Sequence, residues 1–509
     1  MPRILAVDQG TTGTAAFVFD ERLRIRGAAD QEFRQRFPRP GWVEHDAEEI
    51  WRTAQTVVAR AKAKAGARGR SGVDAIGITN QRETVVAWDA RSGKPLTRAI
   101  VWQDRRTADR CSSLEAEGLD GFLRDRTGLV TDPYFSATKM EWMLRNVPKV
   151  RRAEESGTLR FGTIDSWLVW KLTEGEAHVT DASNASRTLL YDLDRRDWSD
   201  ELLDVFGIER STLPRLVPSS GTLARAADGT PICGIAGDQQ AALFGQACYR
   251  SGDAKSTYGT GSFVLMNTGP KRPVSPRLLA TVAWDVDGKV EYALEGSVFT
   301  TGASVQWLRD ELGFVRRASD TERLARSVPD TGGVRFLPAL AGLAAPHWDP
   351  HARGALVGLT RGTTKAHLVR AVLEATACRV AEVVSAMQED SGVALQALRV
   401  DGGGSQNAFL MQLQSDLLGV GVERPRMVAL GARAARPRRV AAETTALGAA
   451  CLAALGCGVF SSRDEVAKAW HRDRRWTPRM RAEERARRLE EWRRFVDQAR
   501  ALYAAMRAD

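Results

Sequence analysis

The chain has 509 residues, 43% hydrophobic and 27% charged, with a formal net charge of +10. That length is more than one ordinary core serves, so two or more domains are expected, and the composition excludes a disordered chain. Six Cys with no CxxC pair argue against a zinc or disulfide framework and fit free thiols in a reducing cytoplasm.

In chain order, the apolar run Ile4-Leu5-Ala6-Val7 reads as a strand, and it reaches Asp8 too soon for a signal peptide. Asp8-Gln9-Gly10-Thr11-Thr12-Gly13-Thr14 is turn chemistry, and an apolar run from Ala15 to Phe19 returns as a second strand. Ile50, Trp51, Ala54, Val57 and Val58 have helical spacing within residues 47–65. A strand over residues 75–79 runs into Asn80-Gln81-Arg82-Glu83-Thr84, and another starts at Val85. Strands and helices then alternate to about residue 250, the pattern of an α/β domain.

Tyr249-Arg250-Ser251-Gly252-Asp253 reads as a boundary, which divides the chain into domains 1–249 and 250–509. The strand–turn–strand pattern restarts across Tyr258-Gly259-Thr260-Gly261-Ser262. A long helix is expected over residues 367–390, and a strand at 398–400 feeds Asp401-Gly402-Gly403-Gly404-Ser405 with a helix opening after it. Leu489, Trp492, Val496, Ala499 and Tyr503 share one face of a last, amphipathic helix. The longest nearly apolar stretch, residues 446–460, is too short to span a bilayer. Arg residues concentrate at 426–439 and after 471, where Glu is mixed in as on a solvated helix face. Without an RRM, KH or zinc-finger pattern, no nucleic-acid partner is expected.

The loops carry the chemistry. Successive backbone N–H groups in a tight Gly/Thr turn make an anion cradle, and a helix N-terminus adds to it. One such turn is ordinarily only a turn; three, at residues 8–14, 258–262 and 401–405, point to nucleotide phosphates. A P-loop NTPase is disfavoured, since Gly93-Lys94 is followed by Pro95, and no HRD or DFG set indicates a protein kinase. Phosphorylating a hydroxyl requires a base. Gly237-Asp238-Gln239-Gln240 supplies a carboxylate after an apolar run, although the residues alone fit a buried structural Asp equally well. Arg82, Glu83 and Trp102 could bind and pack a hydroxylated substrate. His347, His351 and His367 lack ligand partners at metal-binding spacing, and Trp42, Trp142, Trp167, Trp170, Trp307 and His45 read as packing residues.

With these motifs in order, the sequence resembles the glycerol kinases of the FGGY carbohydrate kinase family, from Asp8 to about Gly458. Further matching segments are Pro40-Gly41-Trp42-Val43-Glu44-His45-Asp46, Val101-Trp102-Gln103-Asp104-Arg105-Arg106, Asp132-Pro133-Tyr134-Phe135-Ser136 and Gly302-Ala303-Ser304-Val305-Gln306-Trp307-Leu308. The resemblance implies an α/β, two-domain actin/hexokinase-like ATPase fold with a catalytic cleft between the domains. It implies ATP-dependent phosphorylation of glycerol to sn-glycerol 3-phosphate, with Mg²⁺, and a homodimer or homotetramer. Asp238 resembles the general base. Arg82, Glu83, Tyr134 and Gln239 resemble the hydroxyl-binding groups, Trp102 and Phe263 the aromatic walls, and Asp8 the carboxylate near Mg²⁺. Thr11, Thr12, Gly13, Thr260, Gly302, Gln306, Gly403 and Asn407 match ATP-contacting positions.

Three departures accompany the match. Ala15 stands where such kinases usually carry Arg; residues 426–443 are longer than usual and basic; and residues 219–230 lack both the Gly-Lys-Gly-Gly-type loop of bisphosphate-sensitive members and a phosphorylatable His. The alternatives are a kinase of another small polyol or ketose, and a turnover-deficient paralogue that only binds nucleotide or polyol.

Overall fold

The structure, a computed structural model, describes residues 1–67, 72–426 and 437–508. Most of the basic segment 426–443, with Arg433, Arg436 and the side chains of Arg438 and Arg439, lies outside the described residues.

Two sheets organise the chain. The first, of six strands, runs Ser220–Arg225, Pro231–Gly237, Ala75–Asn80, Arg3–Gln9, Gly13–Asp20, Ile25–Glu32 from edge to edge. Its three N-terminal strands form an antiparallel meander, and Ala75–Asn80 and Pro231–Gly237 add in parallel. The second sheet, of seven strands, repeats this plan. Asp253–Tyr258, Ser262–Gly269 and Lys289–Val298 form the meander, Ala397–Asp401 and Val422–Pro425 add in parallel, and Leu279–Val286 extends the edge beyond the meander. In both sheets an antiparallel strand closes the far edge, Ser220–Arg225 in one and Arg472–Trp476 in the other.

Strand alternation decides what each face meets. Leu5 and Val7 belong to the core formed with the helix Ala47–Lys64, through Ile50, Ala54 and Val57. Ile4 and Ala6 belong to a different core, shared with residues 446–454 of the helix Pro437–Gly456. That helix follows the second sheet's last parallel strand, yet it packs on the first sheet. The contact is close because both sides are small. A Cβ on Gly77 would lie 2.2 Å from the Ala449 carbonyl oxygen, and one on Gly234 would lie 2.6 Å from the Ala453 nitrogen. The same helix crosses Asp238–Gly245, where a Cβ on Gly448 would stand 1.8 Å from the Ala241 carbonyl oxygen.

Local expectations hold with small shifts. The first helix is Ala47–Lys64, capped by Asp46, and the long helix is Lys365–Ser391. Val85 makes only a bridge to Ile100, so the strand proper is Val86–Asp89. After Asp401 the chain first makes a 3-10 turn, Gly403–Gln406, because the Gly run must fold against Tyr258. The helix Ala408–Leu418 starts once Asn407 caps it. In the last helix, Ala482–Ala508, Trp492 and Val496 are buried, and Tyr503 packs under Arg353. All six Cys are free thiols. Among the described residues no helix is long and apolar enough to cross a membrane.

Replacing Gly448 by Ala sets two effects against each other. Helix propensity favours Ala by ~1 kcal/mol, whereas overpacking costs roughly 1–3 kcal/mol, more when the obstacle is backbone. Since the obstacle is the Ala241 carbonyl, the clash should win. Gly448→Ala should lower the melting temperature by roughly 2–4 °C or more in differential scanning calorimetry. An unchanged or raised value would mean that the two helices separate freely.

Candidate active site

Asp238 opens the helix Asp238–Gly245, at the end of the strand Pro231–Gly237. A carboxylate is favoured at a helix N-terminus, where the first N–H groups have no intrahelical partner. Its Oδ1 accepts the Gln239 backbone N–H at 2.7 Å, and the Gly237 N–H donates to Ser183 Oγ at 3.0 Å, which fixes the turn. The Asp238 side chain stays about one-third exposed, open to a substrate.

Asp8 lies near the end of its strand, directly opposite Ala15 and beside Thr79. It is buried, and burial, reinforced by the charge of Asp238, pushes its carboxyl up to about 8. The following turn is closed by the Gly10 N–H donating to the Gly13 carbonyl at 2.9 Å. Gln81 Nε2 braces the turn, donating to Gln9 Oε1 at 3.0 Å and to the Gly10 carbonyl at 3.3 Å. Thr11 Oγ1 accepts from Trp102 Nε1 at 2.9 Å, so the Trp102 ring is tied to the Gly/Thr turn after the first strand. Trp102 meets Tyr134 edge to face, with ring centroids 5.4 Å apart. The Tyr134 segment is itself held by buried Lys139, whose Nζ donates to the carbonyls of Pro133, Tyr134 and Phe135 at 2.5, 2.8 and 3.2 Å.

Arg82 and Glu83 sit beside Asp238. Arg82 Nε lies 3.3 Å from Asp238 Oδ1, while its terminal nitrogens donate to both carboxylate oxygens of Glu295, at 2.5 and 3.0 Å. Glu83 takes a left-handed backbone (φ 61°), uncommon for a residue with a Cβ. Its carbonyl is held by Ser136 Oγ at 3.0 Å, and its Oε1 accepts from Arg187 Nε at 2.8 Å. Burial works against ionised Glu295, but the guanidinium groups of Arg187 and Arg82 outweigh it and hold that carboxyl down at about 2.

The second half presents its own loops. Gly402 (φ 80°) folds over Tyr258, whose carbonyl oxygen would lie 2.5 Å from a Cβ there, and Gly302 donates its N–H to the Gly259 carbonyl at 3.1 Å. The turns at 258–261, 301–303 and 402–404 are thus packed together, bringing Thr260, Gly302 and Gly403 into one region. Thr12, Thr260, Gln306 and Gly403 are exposed. Asn407 caps its helix and also donates to Thr321 Oγ1 at 3.1 Å, so its side chain already has protein partners. Phe263 is half-buried, in register with Thr257 and Ser297. Buried Lys255 donates to Gln239 Oε1 and, at 3.2 Å, to Thr257 Oγ1. Burial lowers its pKa, while the charges of Asp401, Asp238 and Glu295 oppose that.

The residues expected to carry packing do so. His45 is buried and bonds Gln35 at 2.6 Å, and Trp307 stacks on Phe336. Sequence reasoning missed Arg187, Glu295 and Lys139. A charge inside the apolar strand run Ala293-Leu294-Glu295-Gly296 was the available signal for Glu295. The other two sit in segments without a recognisable pattern.

Such a duplicated sheet, with an acidic turn in each half, defines the actin/hexokinase-like ATPase class. Residues 3–245 match the N-terminal domain of the FGGY family of carbohydrate kinases, and residues 254–457 match its C-terminal domain. The chain is 54% identical over 503 residues to a glycerol kinase of Symbiobacterium thermophilum, covering 98% of both chains. It is equally 54% identical to one of Deinococcus radiodurans, covering 98% of this chain and 97% of that one. A solved structure, Plasmodium falciparum glycerol kinase with ADP, superposes with a TM-score of 0.90 at 34% identity, covering 98% of each chain. The chain belongs to the FGGY family of carbohydrate kinases.

Asp8 carries a stability cost with a definite sign. Its folded pKa, about 8, lies above the ordinary carboxyl value of 3.8, so between these values the unfolded state binds fewer protons and stability falls as pH rises. Asp8→Asn removes the penalty. Its melting temperature should exceed the parent's by a margin that widens from about pH 5 to about pH 8. A constant margin would show that Asp8 ionises normally in the fold.

Proposed function

We propose that this chain is an ATP-dependent glycerol kinase in which Asp238 is the general base for phosphoryl transfer to a terminal hydroxyl. The observation that carries this reading is Asp238 at a helix N-terminus, one-third exposed and flanked by Arg82, in a chain 54% identical to glycerol kinases over nearly its full length. Arg82, Glu83, Tyr134 and Gln239 bind the hydroxyls, while Trp102 and Phe263 enclose the carbon chain. A site built to hydrogen-bond three hydroxyls rejects analogues that lack one, because its own buried groups would then go unpaired. Thr11, Thr12, Gly13, Thr260, Gly302, Gln306, Gly403 and Asn407 contact the nucleotide. The halves divide near residues 249–250, and the enzyme works in the cytoplasm as a homodimer or homotetramer.

Asp8 fits a Mg²⁺ site. It offers one hard carboxylate donor, and Mg²⁺ is ordinarily held by one or two carboxylates together with substrate phosphates and water. Mg²⁺ would neutralise phosphate charge. The protein's own part is to align glycerol, accept its proton on Asp238 and exclude water.

Glycerol should give the highest kcat/KM among polyols and ketoses in a coupled assay of ADP release; a higher value for xylulose, ribulose or gluconate would overturn the assignment. Asp238→Asn should keep ADP binding and lower kcat by ~10²-fold or more. Near-normal turnover would remove Asp238 from the mechanism.

Ala15 stands beside Asp8 on the adjacent strand, where an Arg could reach a phosphate. Lys255, close enough to Asp238 to feel its charge, supplies a cation from the other half. Ala15→Arg should raise kcat/KM for ATP and leave the KM for glycerol nearly unchanged. A slower or indistinguishable variant would mean that the site, through Lys255 or the basic segment 426–439, already compensates, and would overturn the reading of Ala15 as a lost catalytic cation.

A further inference from the structure

Four charged side chains make a closed, buried cluster under the proposed base. Arg82, Glu83, Arg187 and Glu295 are each at most 3% exposed, and their formal charges sum to zero. Arg82 and Glu83 follow a strand of the first sheet, Arg187 follows the short helix Ala182–Ala185, and Glu295 comes from the second sheet. Register places Glu295 opposite Leu265, and Leu265 opposite Lys255, so Glu295 and Lys255 share one face of the second sheet.

The cluster fixes the Arg82 guanidinium in place. Glu295 pairs end-on with both terminal nitrogens of Arg82, at 2.5 and 3.0 Å, a two-pronged arrangement that sets the plane of the group. Gln240 Oε1 accepts a further bond from Nη1 at 3.2 Å. The Nε edge then faces Asp238, with Nε 3.3 Å from Oδ1. Arg187 closes the ring, donating to Glu295 Oε1 at 3.1 Å and to Glu83 Oε1 at 2.8 Å, which turns the Glu83 carboxylate into a fixed acceptor.

We infer that Glu295 is a positioning residue for glycerol phosphorylation: a carboxylate from the second half that fixes the Arg82 guanidinium beside the base and, through Arg187, orients Glu83 toward the substrate hydroxyls. This rests on the reading of Asp238, Arg82 and Glu83 given above. The hydroxyl-binding groups, all drawn from the first half of the chain, are therefore positioned by a carboxylate of the second sheet.

The test is steady-state kinetics of Glu295→Gln and Glu295→Asp, with active sites counted by ADP binding. Gln keeps the size and one acceptor oxygen but not the charge. Per active site it should lower kcat by roughly 10²-fold and raise the KM for glycerol, the scale expected when reacting groups are misplaced by about 1 Å. The KM for ATP should stay within about twofold of the parent's, and the Asp variant, which restores the charge, should fall between. A purely structural role would lower the melting temperature and the count of active sites while leaving the kinetic constants per site unchanged, and that result overturns the inference. If the Gln variant does not fold, the Asp variant carries the test: a raised glycerol KM at unchanged ATP KM supports it, and parental constants overturn it. The unmodified chain is assayed first. Failure to phosphorylate glycerol would overturn the functional reading and this inference together, whereas normal turnover with unaltered variants would overturn this inference alone.

Discussion

The backbone of the helix Pro437–Gly456 lies against that of Asp238–Gly245 with no side chain between them at Gly448 and Ala241. Much of the site depends on that approach. Each helix continues the last parallel strand of one sheet, and Pro437–Gly456 packs across onto the other. The crossing therefore sets how near the sheets come, and with it where Asp238 stands relative to Glu295 and Lys255. Small residues serve this better than large ones. Dispersion and apolar burial gain most when backbones come close, and the Ala and Gly of residues 446–454 leave nothing in the way.

Charge inside this interface follows two different rules. The Arg82–Glu83–Arg187–Glu295 cluster is buried but neutral, and nearly every strong donor finds a carboxylate, which is the condition under which buried ions are tolerated. Asp8 is buried close to another carboxylate, and its pKa rises accordingly. A carboxyl so strongly perturbed, beside a Gly/Thr turn, is a candidate functional group and accords with the Mg²⁺ role proposed for Asp8.

The two halves also contribute unequally to the proposed site. The side chains proposed to bind the polyol come mainly from residues 82–134 and 238–239, braced by Lys139, Arg187 and the second sheet's Glu295. The positions proposed to meet the nucleotide lie on turns gathered around Tyr258.

Much of this was legible in the sequence. The unbroken apolar run Ile4 to Val7 marks a strand buried on both faces, the spacing of Ile50, Ala54 and Val57 marks a helix, and the turns at 8–14, 258–262 and 401–405 carry their chemistry locally, in Gly, Thr and Asp at strand ends. The candidate base and hydroxyl-binding residues sit in compact motifs too, but their roles came from the family resemblance that those motifs carry, since Asp238 alone fits a buried structural Asp equally well. The partners of those residues were not. Glu295 is 213 positions from Arg82, Arg187 is 104 from Glu83, and Gly448 meets Ala241 across a similar span. Such pairs leave no period and no motif, because nothing local requires them. They arise only when two separately specified sheets are pressed together and every buried charge and every close backbone contact must find its complement.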